Sequence, residues 1–241
     1  MSEGLITGEE VHRASTVADR AFRAVSLSEF SGAAADEVAP YNLECPHDSQ
    51  YILRMLVKQS HKKIQLPEEL RWLTGLLAKT NDYQKAQIGV AHPFCYITVR
   101  HGPVISKGDD EWHVDGFSTR ITHLPEQNYV VVNTGGFEYI DESPRFTFPE
   151  DFDPLSHNVN NYLRNRIDVR SIKTAKTNMI YCIDPYILHR RVATMDRTFV
   201  RISYTPIEIA DDANTPNPLI PMRKYNRDGI AIRNQLSNYD D

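Results

Sequence analysis

A histidine and a carboxylate two residues apart on an extended segment point to the same side of it, and Trp112-His113-Val114-Asp115-Gly116 supplies such a pair. Two legs of a metal site can be built in this way from one strand. The third leg must come from elsewhere in the chain, and His189, which follows Ile187-Leu188 after a turn containing Pro185, is the leading candidate. Two imidazoles and one carboxylate on one face of an ion suit non-haem Fe(II) and leave coordination positions open. A His-x-Asp tripeptide is close to what chance supplies in a chain with 9 histidines, so its setting has to carry the argument.

His92, His101 and His123 are the nearby alternatives, but none has a same-face partner followed by a suitable cation. The acidic run Asp109-Asp110-Glu111 reads as a solvated loop. Thr134-Gly135-Gly136 lacks the lysine and following helix of a phosphate loop and reads as a turn. Trp112 alternates away from the ligand pair and reads as packing.

The elements that must position these residues change character along the chain. Residues from about Glu9 to Val38 are rich in Ala, Glu and Arg and predict one or two helices broken near Ser26. Tyr51 to Val57 predicts a further helix capped by Asp48 or Ser49. Pro67-Glu68-Glu69 starts another, with Leu70, Leu73, Leu76 and Leu77 as its apolar stripe.

From about Phe94 the pattern is strand and turn. Cys95–Val99, the His113 segment, Gln127–Asn133, Phe137–Ile140, Val169–Ile172, Asn178–Ile183, Ile187–Val192 and Thr198–Ile209 all predict strands. Residues 141–170 interrupt them with a loop and a helix over Pro154–Arg166, placed to lie over the mouth of a barrel. About eight short strands after helices predict a double-sheet jelly roll, the double-stranded β-helix, with N-terminal helical cover. The expected organisation is a single domain: helical cover over 1–90, a jelly-roll core over 94–209 and a C-terminal extension over 210–241, packed or frayed.

Composition bounds the function. A length of 241 residues suffices for one full core, and 41% hydrophobic with 24% charged residues is ordinary for a globular protein. The formal net charge of −5 argues against a chain devoted to gripping nucleic acid. Cys45, Cys95 and Cys182 are odd in number and widely spaced, which predicts no disulfide framework and a reducing, cytoplasmic setting. The first ten residues lack a signal peptide's pattern, and no apolar run approaches the ~20 residues of a membrane helix.

On the last strand, Arg201 and Ser203 share a face. His-x-Asp, a distant His, and then Arg-x-Ser, as His113, Asp115, His189 and Arg201 with Ser203, resemble the Fe(II)- and 2-oxoglutarate-dependent oxygenases. The likeness covers roughly Cys95 to Ile209. It implies that His113, Asp115 and His189 hold Fe(II), that 2-oxoglutarate chelates the iron, and that Arg201 and Ser203 grip the far carboxylate of that co-substrate. Molecular oxygen is then the second co-substrate, and hydroxylation of an unactivated C–H bond the default outcome. Halogenating relatives lack the carboxylate ligand, so Asp115 argues against halogenation.

The interval from His189 to Arg201 is longer than in many relatives, and Arg197 lies closer, so either arginine can be the anchor. Arg191 shares a face with His189 and is a candidate substrate contact. Tyr129 and Asn133 share one face of their strand and Asn128 and Val130 the other; one set lines the pocket, and Tyr129 with Asn133 stand beside Arg191 as candidates. The expected substrate is a small polar molecule, such as an amino acid or biosynthetic intermediate, that carries an anionic group if Arg191 and Arg197 both meet it. The rival readings are the same chemistry on a protein or nucleic acid, and a jelly-roll binding module without catalysis.

Overall fold

The computed structural model describes residues 29–30, 35–60, 62–88, 92–102, 110–115, 126–141, 146–147, 159–165, 171–192, 196–206, 208–209 and 213–221. Strands β1 (Glu29–Phe30), β2 (Asp36–Pro40) and β3 (Gln50–Lys58) lead to a 3-10 segment (Glu68–Leu73) that runs into helix α1 (Thr74–Ile88). Then come β4 (Phe94–Gly102), β5 (Gln127–Val132), β6 (Phe137–Ile140), β7 (Phe146–Thr147) and helix α2 (Val159–Arg164). β8 (Ile172–Thr174), β9 (Met179–Ile183), β10 (His189–Arg191) and β11 (Arg197–Thr205) complete the order.

The described chain is mainly antiparallel β. A six-stranded sheet has the order β2-β9-β5-β11-β4-β3, a three-stranded sheet the order β10-β6-β8, and β1 pairs with β7. Strict alternation on the large sheet sorts its side chains into two cores. Tyr129, Val131, Ile97, Val99, Val200, Ile202 and Tyr204 face out and pack with Leu70, Leu73, Leu76 and Leu77. Val130, Tyr181 and Ile183 face in and pack with Phe137, Tyr139, Ile140 and Leu188 of the smaller sheet and the turn beside it. Two sheets with helical cover on one outer face are consistent with a β-sandwich.

The leucine stripe behaves as its spacing predicts. Pro67 precedes the first turn, Glu68 and Glu69 sit at its positive end, and Leu70, Leu73 and Leu76 are fully buried. Truncating Leu73 to alanine is expected to cost about 2–5 kcal/mol. A lowered urea midpoint with an unchanged slope is the check.

The predicted helix over Tyr51 to Val57 is instead strand β3, antiparallel to β4. Its register shifts between Ile52 and Met55, where Arg54 takes a φ of 43°. This bulge puts two buried residues three apart and so imitates helical periodicity in a strand. Leucine, methionine and arginine add helix propensity, but edge pairing overrides it. Arg54 is held in this left-handed conformation by its amide, which donates to Thr98 Oγ1 at 3.2 Å.

The helical reading of Glu9 to Val38 also fails at its end, because Glu29–Phe30 and Asp36–Pro40 are strands paired with β7 and β9. Its remaining residues, 9–28 and 31–34, lie outside the described residues. The strand expected at His113 is a single ladder rung. The helix expected over Pro154–Arg166 is α2, with 154–158 and 166 outside the described residues, and the strand expected over Val169–Ile172 begins at Ile172. Residues 213–221 of the tail are packed, with Ile220 buried and Asn217 Nδ2 donating to the carbonyls of Leu56 and Gln65. All three cysteines are free, and burial pushes the Cys95 thiol up to about 12. Among the described residues no helix is long and apolar enough to cross a membrane.

Candidate metal centre

The backbone brings the two candidate ligand histidines together directly. His113 N donates to the His189 carbonyl and His189 N donates to the His113 carbonyl, both at 3.0 Å. Directly opposed residues on such a rung project to the same side, and the two imidazoles lie 4.5 Å apart between centroids. His189 is also paired with Tyr139 of β6, which fixes it within the smaller sheet. Asp115 follows on the same segment as His113. One donor atom from each of His113, Asp115 and His189 lies within 4.8 Å of the other two.

Hydrogen bonding sets which ring nitrogen each histidine presents. The His113 Nδ1 lies 2.7 Å from the Glu111 carbonyl oxygen and the His189 Nδ1 lies 3.0 Å from that of Ile187. A carbonyl only accepts, so each Nδ1 carries a proton, which in the neutral tautomer leaves the Nε2 lone pair for an ion. His189 Nε2 lies 3.6 Å from Asp115 Oδ2.

The carboxylate is prepared as well. Burial pushes the Asp115 carboxyl up, but the Arg201 guanidinium against it, joined by His189 and His113, holds it well below the usual carboxylate range. It is therefore ionised at neutral pH, as a ligand must be. Arg201 Nη1 donates directly to Asp115 Oδ2.

Helix α2 and β10 hold the ligand segment from outside. Asn160 Oδ1 accepts from the Val114 amide at 3.1 Å, and Arg164 Nε donates to the Trp112 carbonyl at 2.8 Å. The Arg190 guanidinium lies 4.7 Å from the Trp112 ring centroid and is paired with Glu138. The described part of the 141–170 insertion thus buttresses the segment that carries His113. Trp112 packs, as its alternation predicts.

A cavity opens on this constellation. His113, Asp115, His189 and Arg201 all line it, as do Arg191 and Arg197. Arg197 is nearly buried, and its Nη1 donates to the Gly136 carbonyl at 3.3 Å. That carbonyl belongs to the Gly135-Gly136 turn, where a Cβ on Gly136 would approach the Ala175 carbonyl oxygen to 2.9 Å. Arg191 reaches within 3.9 Å of Asp110, which gives the acidic loop a contact at the cavity edge.

Arg201 lies against Asp115 and lines the cavity. Other expectations are not met. Ser203 shares the face of Arg201, but its hydroxyl donates to Asn128 Oδ1 and it does not line the cavity. Tyr129 points the opposite way, into the helical core, because the alternation of β5 places Val130 inside; its hydroxyl donates to Gln84 Oε1 at 2.8 Å. Burial pushes the Tyr129 hydroxyl up, so it stays a proton donor there. Asn133 closes the turn beyond β5, its Oδ1 accepting from the Thr198 amide at 2.7 Å, and it does not line the cavity. His101 lies against Thr198 Oγ1, His92 is buried elsewhere, and His123 lies outside the described residues.

Arg54, Arg100, Phe137 and Phe199 also line the cavity, and no sequence spacing ties them to the histidines. For Arg100 and Phe199 the cue is their cross-strand pairing, which becomes legible only once the β4–β11 register is known.

No family model matches the sequence, and no curated protein matches it. Among solved structures, the chain is similar to EvdO2 from Micromonospora carbonacea var. aurantiaca at a TM-score of 0.37 and 16% identity, over 61% of this chain and 68% of that one. EvdO2 complexed with 2-oxoglutarate gives 0.37 and 15%, over 68% and 80%. A 2OG-Fe(II) oxygenase-family oxidoreductase from Burkholderia pseudomallei gives 0.32 and 13%, over 67% and 69%. At these scores the likeness is too distant to assign chemistry, so the residues of the site carry the functional reading.

Proposed function

We propose that the chain is an Fe(II)- and 2-oxoglutarate-dependent oxygenase of jelly-roll type that hydroxylates, or otherwise oxidises, a C–H bond of a small polar molecule. The observation that carries this reading is the convergence of the His113, His189 and Asp115 donor atoms, with both histidine tautomers set by carbonyl acceptors. An ionised carboxylate and two neutral imidazoles fit a divalent iron and leave other positions for co-substrate. When bound, iron would activate O2, the oxidant, with 2-oxoglutarate supplying two of the electrons: substrate, O2 and 2-oxoglutarate become hydroxylated substrate, succinate and CO2.

The chain's residues position and shield that chemistry. His113, Asp115 and His189 are the metal ligands. Arg201 keeps Asp115 ionised, and its planar fork suits the bidentate grip of a co-substrate carboxylate. Arg197, on the same strand, is the alternative anchor. Val130, Ile183, Phe137 and Phe199 line the cavity with apolar surface and limit water around the reacting carbon. Arg191 lies beside the ligands on β10 as a substrate contact.

The test is an anaerobic titration of the purified protein with Fe(II) and then 2-oxoglutarate. A weak visible charge-transfer band that needs both additions, followed on aeration by succinate release, is expected. Without that band the reading fails, and a non-catalytic module takes its place.

A further inference from the structure

The cavity carries more positive charge than the proposed chemistry uses. Six of its described lining residues are arginines, Arg54, Arg100, Arg190, Arg191, Arg197 and Arg201; the carboxylates that meet them among the described residues are Asp115 in the lining and Glu138 and Asp110 against Arg190 and Arg191, which leaves cations in excess. This occurs in a chain whose formal net charge is −5. An Fe(II) ion and a 2-oxoglutarate dianion add no net charge together, so they leave this imbalance among the described walls as it is.

The arginines are not scattered. Arg100 on β4 lies opposite Phe199 on β11, and its guanidinium carbon is 5.9 Å from the Phe199 ring centroid. The Arg197 guanidinium carbon is 5.5 Å from the same centroid. Arg54 enters from the bulge of the neighbouring strand, where its amide is held by Thr98, the residue opposite Arg201. Placing a side chain by a φ of 43° at a non-glycine residue costs backbone strain, and such strain is retained where a position is needed. The wall formed by β3, β4 and β11 thus presents Arg100 and Arg197 at one aromatic ring, with Arg54 and the arginine that touches Asp115 lining the same cavity.

The geometry points to a second anion subsite at Arg54, Arg100 and Arg197, which takes the phosphate group of a small phosphate monoester and thereby defines the substrate class. One guanidinium fork saturates a carboxylate, whereas the three peripheral oxygens and double charge of a phosphate monoester match several guanidinium groups at once. Phe199, flanked by two of these cations, offers a surface for the organic part. The assignment rests on the oxygenase reading only for the fate of the ligand, with Arg201 serving the co-substrate; the binding itself is independent of iron.

Titration calorimetry of the metal-free protein with inorganic phosphate, at constant ionic strength, tests it, with acetate as the monocarboxylate control. Saturable phosphate binding in preference to acetate is expected, weakened about tenfold or more in Arg54→Gln and in Arg100→Gln. Partial recovery is expected in Arg54→Lys and Arg100→Lys, which keep the charge and lose the fork. Absence of phosphate binding by the wild-type chain, equal binding of acetate, or affinity unaltered in both glutamine variants overturns the subsite. Circular dichroism identifies a variant that does not fold, and the wild-type preference for phosphate over acetate then decides alone. Phosphate binding without the Fe(II)/2-oxoglutarate band would sink the oxygenase reading and keep the subsite; the band without phosphate binding would do the reverse.

Discussion

Fe(II) affinity is expected to fall by at least about 100-fold in His189→Ala, more than the ~10–100-fold that follows loss of a group that only orients a ligand. The reason is geometric. Three donors within 4.8 Å of one another give an ion one closed face, and alanine leaves a carboxylate and one imidazole, an arrangement that exposed residues offer without selectivity. His113→Ala and Asp115→Asn are expected to behave alike, since each removes one leg. The rung between residues 113 and 189 is made by backbone atoms and survives all three substitutions, so the two alanine variants should keep the wild-type urea midpoint more closely than they keep the metal, whereas Asp115→Asn also takes the carboxylate from Arg201 and should lower the midpoint as well. Anaerobic Fe(II) titration measures the first quantity and denaturation the second. Wild-type affinity in all three variants would place the metal elsewhere.

Arg201→Met is expected to act on stability and on co-substrate at once. Removing the guanidinium leaves Asp115 ionised beside apolar wall, at a cost of about 2–3 kcal/mol. That is less than for a fully buried pair, because Asp115 keeps 25% of its side-chain surface exposed. The folded-state carboxyl is held below its ordinary value of 3.8. Its stabilising contribution is therefore fully present above that value and is lost as pH falls through the lower folded value. The gap between wild type and variant should accordingly be full at neutral pH and close in acid, as denaturation midpoints across pH will register. In the same variant kcat/KM for 2-oxoglutarate should drop by about 10–100-fold, the worth of a charge-assisted hydrogen bond. Arg201→Lys separates the two effects: a point charge restores stability, while the co-substrate still lacks its bidentate partner. Undiminished 2-oxoglutarate use by Arg201→Met would assign the anchor to Arg197.

How much of this could be read from the sequence depended on whether a local pattern survives in the fold. His113, Asp115, His189 and Arg201 were legible because their order along strand-like segments is meaningful, and the structure brings all four to one cavity. β4, β6, β9 and β11 were legible as runs of β-branched and aromatic residues between turns. β5 shows the limit. All six of its residues are buried, so nothing in Gln127 to Val132 marks an inner face, and choosing Tyr129 over Val130 had no physical basis. β3 misled for the opposite reason, since its bulge shifts the alternation into a spacing that a helix would have. Arg54 and Arg100 gave no signal at all: an arginine in a strand is ordinary until its neighbours across the sheet are known.

The bulged strand β3 has a further consequence for how the molecule keeps to itself. It is the outermost strand of the six-stranded sheet, and an open edge of that kind is a template for pairing with another chain. Here backbone groups of Leu53, Leu56 and Val57 are already engaged. The Leu53 amide donates to Thr215 Oγ1 and its carbonyl accepts from the Thr215 amide, while the Leu56 and Val57 carbonyls accept from Asn217 Nδ2 and the Gln65 amide. The same kink that turns Arg54 toward the cavity therefore ends regular strand geometry at the rim, and the chain's own later residues seal it. A device that shapes the pocket also acts as a guard against edge-to-edge aggregation.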